Sequence, residues 1–321
     1  MNIVRQIFPV LVVALTALPV FSAEYPQRPV RLVVPYSAGG STDTVARITG
    51  ARLAERLGQP VVIDNRTGAG TIIGTEIVKE ATPDGHVLLM ATPPLAVNPS
   101  LYAKVPYVLD RDFVAITNIA GSSNLLVVHP SMPATSVKEL ITVLKASPGK
   151  YNYGSSGVGG AGHLAMALFT SMAGVEAIHV PYKGGAPAVA DLVAGRLNMA
   201  MANLTTAQPH IRAGRLRGLG VGKSVRTPLF PEMPTIAEAG LKGYEANNWN
   251  GLVAPRGTPR AVIERLHRDI VATLKESVVA ERMARSGLEP IGDTPAEFSA
   301  YLQSEAAKWG KLIKAAGIKA E

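Results

Sequence analysis

Two segments of this chain share one arrangement, an apolar strand that runs into a glycine- and serine-rich loop and then directly into an amphipathic helix. The first is Val30-Arg31-Leu32-Val33-Val34-Pro35, then Tyr36-Ser37-Ala38-Gly39-Gly40-Ser41-Thr42-Asp43, then a helical stretch over residues 44–57 stopped by Gly58. The second is Tyr151-Asn152-Tyr153, then Gly154-Ser155-Ser156-Gly157-Val158-Gly159-Gly160-Ala161-Gly162, then a helical stretch over residues 163–173 stopped by Gly174. A helix start carries unpaired N–H groups and a partial positive charge, and glycines let neighbouring N–H groups turn outward, so each loop is a potential anion cradle. A single such loop is an ordinary α/β turn. Two of them, one in each half of the chain, point to a pair of cradles closing on a small acid. Neither contains Lys or Arg, so selectivity for an anion would rest on backbone dipoles and hydroxyls.

At 321 residues the chain suits two compact domains rather than one core. Strands and helices alternate, which predicts parallel sheets covered by helices. Residues 113–120 and 125–128 read as two extended runs separated by Gly121-Ser122-Ser123-Asn124, a small polar hinge. The proline-rich passage over residues 227–234 and the segment 249–254 read as the return crossing. Ser136 with Glu139 and Thr294 with Glu297 are capping boxes, and Thr258-Pro259 is a further helix start. Two C-terminal helices are expected to pack back on the first domain. The division is residues 1–22 as a leader, 23–122 with 248–321 as domain 1, and 123–247 as domain 2.

The leader is expected because Arg5 is followed by an apolar run over residues 7–21, small residues at Ser22-Ala23, and the polar, proline-rich Glu24-Tyr25-Pro26. That is the layout of a cleavable secretory signal, with cut sites after Ser22 or Ala23. The chain has no cysteine, so neither a disulfide framework nor a lipid-modified cysteine is available. A free periplasmic protein follows as the expectation. The formal net charge of +8 falls by one with Arg5. Lys and Arg are scattered and aromatics make up 5% of residues, so a surface that attracts anionic solutes fits better than one that binds nucleic acid.

The run over residues 157–162 matches the dinucleotide fingerprint, and a nicotinamide-dependent oxidoreductase of a small acid is the competing reading. That reading needs a carboxylate at the end of the next strand, where this chain has Val180-Pro181-Tyr182-Lys183. A secreted structural protein is a third possibility. Gly154-Ser155-Ser156-Gly157-Val158 fails the nucleophile elbow, and the six histidines show no paired metal spacing, so neither a metal nor a cofactor is expected. His163, at the second cradle, is placed either to donate to an anion or to be satisfied by the local backbone. Asp43 reads as a cap on the first helix's free N–H groups. Tyr182 and Lys183 follow a strand end, where either a ligand meets them or the chain makes an exposed turn.

The chain resembles the periplasmic solute receptors of tripartite tricarboxylate transporters, the Bug receptors. The likeness rests on an ordered series: Tyr25-Pro26 with Arg28-Pro29, Val34-Pro35-Tyr36 with Gly39-Gly40 and Asp43, Leu57-Gly58-Gln59-Pro60, and Asp64-Asn65-Arg66 with Gly68-Ala69-Gly70. It continues through Thr82-Pro83-Asp84-Gly85, Asn98-Pro99-Ser100-Leu101-Tyr102, Tyr153-Gly154-Ser155-Ser156-Gly157, His179-Val180-Pro181-Tyr182-Lys183-Gly184 and Trp249 with Gly251-Leu252-Val253-Ala254-Pro255. The resemblance implies an α/β fold with two lobes of the periplasmic-binding-protein type (type II), joined by two hinge crossings. It also implies a non-catalytic, monomeric receptor that closes on a mono- or dicarboxylate and delivers it to a two-subunit permease. By the same resemblance the loops at Tyr36, Ser37, Ala38, Gly39, Gly40, Ser41, Thr42 and Asp43, and at Ser155, Ser156, Gly157 and Gly160, grip a carboxylate. Thr92 and Asn203 would meet the rest of the ligand. The family often carries a second proline and a Phe in the first loop, and Asp at the position of Asn203. Those differences disfavour an amino-acid ligand.

Overall fold

The computed structural model describes residues 25–315, 317 and 318, so the leader expectation lies outside the described residues. From the N-terminus the elements are β1 (Val30–Val34), α1 (Ser41–Leu57), β2 (Val61–Asn65), a 3₁₀ turn (Ala69–Thr71), α2 (Ile72–Lys79), β3 (Val87–Ala91), α3 (Pro93–Leu101), α4 (Leu109–Asp112) and β4 (Phe113–Val128). There follow α5 (Val137–Ala146), β5 (Asn152–Ser155), α6 (Ala161–Ala173), β6 (Ile178–Pro181), α7 (Gly185–Val193), β7 (Met199–Asn203), α8 (Leu204–Arg212) and β8 (Arg217–Val221). The chain closes with β9 (Asn247–Pro255), α9 (Arg260–Leu274), α10 (Ser277–Arg285), β10 (Leu288–Pro290) and α11 (Pro295–Ala315).

Two sheets share one long strand. In the first, β1 lies parallel between β2 and β3, while β9 runs antiparallel to both β3 and β4. In the second, β5 lies parallel between β6 and β7, while β7 and β8 run antiparallel to β4. The expectation of wholly parallel sheets is therefore corrected to mixed ones. The crossing strands enter each sheet against the direction of its βαβ units, so they can pair only antiparallel.

The expected break between two extended runs is also corrected. Residues 121–124 do not break the chain: they lie inside the continuous strand β4, because β9 pairs with it through Ser122↔Asn248 and Ser123↔Asn247, and β10 pairs with it at Gly121. Glycine, serine and asparagine favour turns in isolation, but ladders on both edges satisfy their backbone groups here. The passage between the sheets is thus a pair of antiparallel strands.

Both cradle helices begin earlier than the sequence suggests, at Ser41 and Ala161, with Gly40 and Gly160 as N-caps. They stop where expected, at Gly58 and Gly174, each in the left-handed region. Buried Val45, Ile48, Leu53 and Leu57 of α1 pack on the first sheet with Val262, Leu266 and Ile270 of α9. The Thr294–Glu297 box closes in both directions, Thr294 Oγ1 accepting from the Glu297 N–H at 3.2 Å and Glu297 Oε2 from the Thr294 N–H at 2.8 Å. Ser136 Oγ accepts from the Glu139 N–H at 3.2 Å, but the Glu139 carboxylate turns to the N–H of Thr135. Thr258 does not cap α9; its hydroxyl donates to the Pro255 carbonyl instead, and Pro259 is the N-cap. The C-terminal region holds a third helix, α10, that sequence reading passed over. Only part of α11 packs as expected: Phe298 and Leu302 join the core of the first sheet, but Trp309 and Ile313 join the core that holds Leu126, Val128 and Leu164.

Candidate functional site

The two cradles face each other across a cleft of about 60 Å³. One wall is Tyr36, Gly40, Ser41 and Thr42, where β1 gives way to α1. The opposite wall is Gly154, Ser155 and Ser156 at the end of β5, with Ala161 and Gly162 at the start of α6. Gly185, Ala188 and Val189 of α7 and the β7 residues Ala200, Met201, Ala202 and Asn203 complete it, with Thr206, Thr92, Asn124 and Asn248. At roughly 10–15 Å³ for each water-sized group, the space takes a few such groups, the scale of a short-chain acid.

Electrostatics favour an anion without supplying a cation. Among the described residues, no Lys, Arg, His, Asp or Glu lines the cleft. The first turns of α1, α6 and α7 open onto it, and their N-caps Gly40, Gly160 and Gly184 offer no side-chain hydrogen bond to the helix N–H groups. Three partial positive charges therefore converge where no side-chain charge competes.

The rim is drawn together. The Ser37 N–H donates to the Lys183 carbonyl at 3.0 Å, and Gly184, at φ +154°, passes so close that a Cβ there would lie 2.3 Å from Ser37 Oγ. The Tyr36 hydroxyl stands beside those of Thr92 and Ser156. Burial pushes Tyr36 up to about 12, with the two neighbouring hydroxyls pulling the other way, so it acts as a neutral donor or acceptor.

Several expected site residues act behind the walls. Asp43 is not a cap on the helix's own free N–H groups: Oδ2 accepts from the N–H of Gly39 in the loop at 2.9 Å and from Arg47 Nε at 2.8 Å, and Oδ1 accepts from Asn65 Nδ2 at 3.1 Å. Burial raises the Asp43 carboxyl, but the bonds from Arg47, Gly39 and Asn65 outweigh it and hold it below its ordinary range. The helix starts at Ser41, so Asp43 sits in its first turn and reaches back to shape the loop. Asn65 Nδ2 also donates to the Tyr36 carbonyl at 2.9 Å. Ala38 and Gly39 are exposed at the rim.

His163 lies under the second cradle rather than on its wall. Its Nδ1 accepts from the Gly159 N–H at 3.1 Å, and its ring stacks on His179 with centroids 4.1 Å apart. His179 in turn stacks on Tyr153 and meets Ser155 Oγ through Nε2 at 2.6 Å. Ser155 Oγ accepts from the Gly157 N–H at 3.1 Å, so the stacked rings fix the loop from below. Gly157 adopts φ +126°, and Gly160 donates to its carbonyl. Tyr182 turns its hydroxyl to Asp191 at 2.7 Å, and Lys183 is exposed, contributing its backbone carbonyl to the rim. Sequence reading missed Thr206, Asn248 and Gly185 as lining residues and took Asn124 for hinge. The run Asn247-Asn248-Trp249-Asn250 was the available signal, since amides are out of place in a buried strand unless something polar faces them.

Burial lowers His163 to about 4; burial, with His163 beside it, lowers His179 to about 3. An unfolded chain takes up protons on both histidines as pH falls below about 6.5, whereas the folded one holds them neutral. Stability is therefore complete above about pH 6.5 and declines as pH drops toward 4 and 3. His163→Asn, whose Oδ1 can replace Nδ1 as acceptor for Gly159, should flatten the fall of the urea midpoint between pH 7 and 4.5. An unchanged slope would show that the stack is not the acid-sensitive element.

The chain matches the family model described as "Tripartite tricarboxylate transporter family receptor" over residues 45–318. It is 42% identical over 290 residues to the UPF0065 protein in the tcbD-tcbE intergenic region of Pseudomonas sp. (strain P51), covering 90% of this chain and 86% of that one. Among solved structures, R. palustris Rpa4515 with adipate superposes with a TM-score of 0.89 at 39% identity, covering 92% of this chain and 99% of the other. The periplasmic binding protein BugD gives 0.88 at 33% identity, covering 92% and 100%. The matched receptor family and the fold shared with BugD are those of solute-binding rather than enzymatic proteins, and the oxidoreductase alternative falls. The protein belongs to the receptor family of the tripartite tricarboxylate transporters.

Proposed function

We propose that this receptor captures a small organic carboxylate between the loops after β1 and β5 and presents it to a two-subunit membrane permease. The observation that carries the reading is the convergence of the α1, α6 and α7 N-termini, all with glycine caps, on one cleft lined by no charged side chain. In this reading N–H groups at Ser41, Thr42, Ala161 and Gly162 and the hydroxyls of Tyr36, Ser155 and Ser156 hold the carboxylate. The adipate in the R. palustris structure supports the ligand class.

The rest of the reading follows from that role. Residues 25–122 with 248–308 form one lobe and 123–247, joined by the end of α11, the other; β4 and β9 flex as a paired ribbon between them, and the Ser37–Lys183 contact belongs to the closed form. A closed form differs in surface from an open one, and a permease needs such a difference to recognise a loaded receptor. Export by the leader places the monomeric protein in the periplasm.

Several charge-assisted hydrogen bonds of roughly 1.5–3 kcal/mol each, offset by ordering and closure, reach a micromolar Kd, about 8 kcal/mol. Protein freed of bound solute by unfolding and refolding should be stabilised in thermal melts by C4–C6 carboxylates and not by the matching methyl esters or amides. Equal stabilisation by the neutral analogues contradicts the reading.

A further inference from the structure

The amides on the crossing strands are unequally committed. Asn203 Nδ2 donates to Ser122 Oγ at 2.7 Å while its Oδ1 accepts from the Thr205 N–H at 3.1 Å, as the N-cap of α8. Asn248 Nδ2 reaches the same Ser122 hydroxyl at 3.3 Å. Asn124 lines the same cleft and is 1% exposed, yet its Nδ2 has no partner among the described residues. A buried amide donor left alone keeps its desolvation cost unrepaid, so its place in a buried strand calls for an acceptor.

Sheet register fixes how far this donor lies from the carboxylate grip. Asn124 on β4 pairs with Asn203 on β7, and β7 is flanked on its other side by β5, where Gly154 pairs with Ala200. Continued past the end of β5, that register sets Asn124 level with the loop at Gly157, two strand spacings away, roughly 10 Å between backbones. Side chains reaching inward from both ends shorten the gap to the length of a four- to six-carbon acid. An NH₂ group only donates, so it accepts as partner an oxygen and not an ammonium.

We propose that Asn124 is a specificity-determining residue, whose amide donates to an oxygen at the end of the ligand remote from the gripped carboxylate. The receptor then selects acids with a second oxygen acceptor, above all dicarboxylates, over aliphatic monocarboxylates and over acids whose far group is an ammonium. This rests on the carboxylate-receptor reading.

The test is calorimetric titration of the refolded full mature chain with adipate against hexanoate and with glutarate against pentanoate. Wild type should favour each diacid by tenfold or more. Asn124→Asp, nearly isosteric but with an acceptor and a negative charge in place of the donor, should weaken every acid, and the diacids at least tenfold more than the monoacids. Asn124→Leu should likewise abolish the preference. Equal binding of diacid and monoacid by wild type, or an equal loss for both in the two variants, overturns the assignment of Asn124 and leaves the receptor reading standing. Failure of every carboxylate to bind wild type overturns both.

Discussion

Replacing Gly157 by valine should raise the Kd for the bound acid by about a hundredfold, some 2.7 kcal/mol. Gly157 sits at φ +126°, a conformation closed to a β-branched side chain, and a Cβ there would lie 3.2 Å from the Tyr182 carbonyl oxygen. The loop has to move to accommodate it. That movement breaks the bond from the Gly157 N–H to Ser155 Oγ and displaces the N–H groups that precede α6. Because the strain is confined to the loop, while Leu164, Met166 and Phe169 of α6 stay packed in the core, the variant should fold. Gly157→Ala should lose less, having the backbone strain without the branched side chain. A folded Gly157→Val protein that binds within threefold of wild type would remove the second cradle from the site.

The largest stability effect is expected at Glu305. It is 7% exposed on α11, and its Oε2 accepts from both Trp249 Nε1 at 3.1 Å and Trp309 Nε1 at 2.9 Å. Trp249 belongs to β9 in the core of the first sheet, whereas Trp309 belongs to the core that includes Leu126 and Leu164. One carboxyl group therefore satisfies two buried indoles and fixes α11 across both cores. Glu305→Ala leaves both N–H groups without an acceptor, at about 1–3 kcal/mol each, and should cost roughly 2–6 kcal/mol in urea unfolding. Glu305→Gln keeps a carbonyl oxygen for them and should lose less than half as much. Equal losses in the two variants would mean that volume rather than hydrogen bonding matters at this position.

How much of this was legible in the sequence differs between local and non-local features. The cradles, the glycine stops and the caps at Ser136 and Thr294 were readable because each is decided within a few residues. The helix starts were misplaced by three residues at Ser41, where serine, threonine and aspartate look like caps, and by two at Ala161, where Gly162 looks like loop. The chain instead uses Gly40 as the cap and sends Asp43 back to the loop. Residues 121–124 read as a hinge because their composition suits a turn. Only pairing with β9 and β10, more than a hundred residues away, makes them strand. Asn124 escaped for the same reason: its meaning comes from β7 and β5, which share its sheet but not its neighbourhood in the chain. His163, in the first turn of α6, had the right position and the wrong direction, because its stacking partner His179 lies on β6.

The most direct test of the central claim is a crystal structure of the protein with the tightest-binding acid. A carboxylate of the ligand is expected within hydrogen-bond distance of N–H groups at both Ser41-Thr42 and Ala161-Gly162, with the Tyr36 hydroxyl beside it. An acid bound outside this cleft, or one whose carboxylate turns away from the starts of both α1 and α6, would contradict the account.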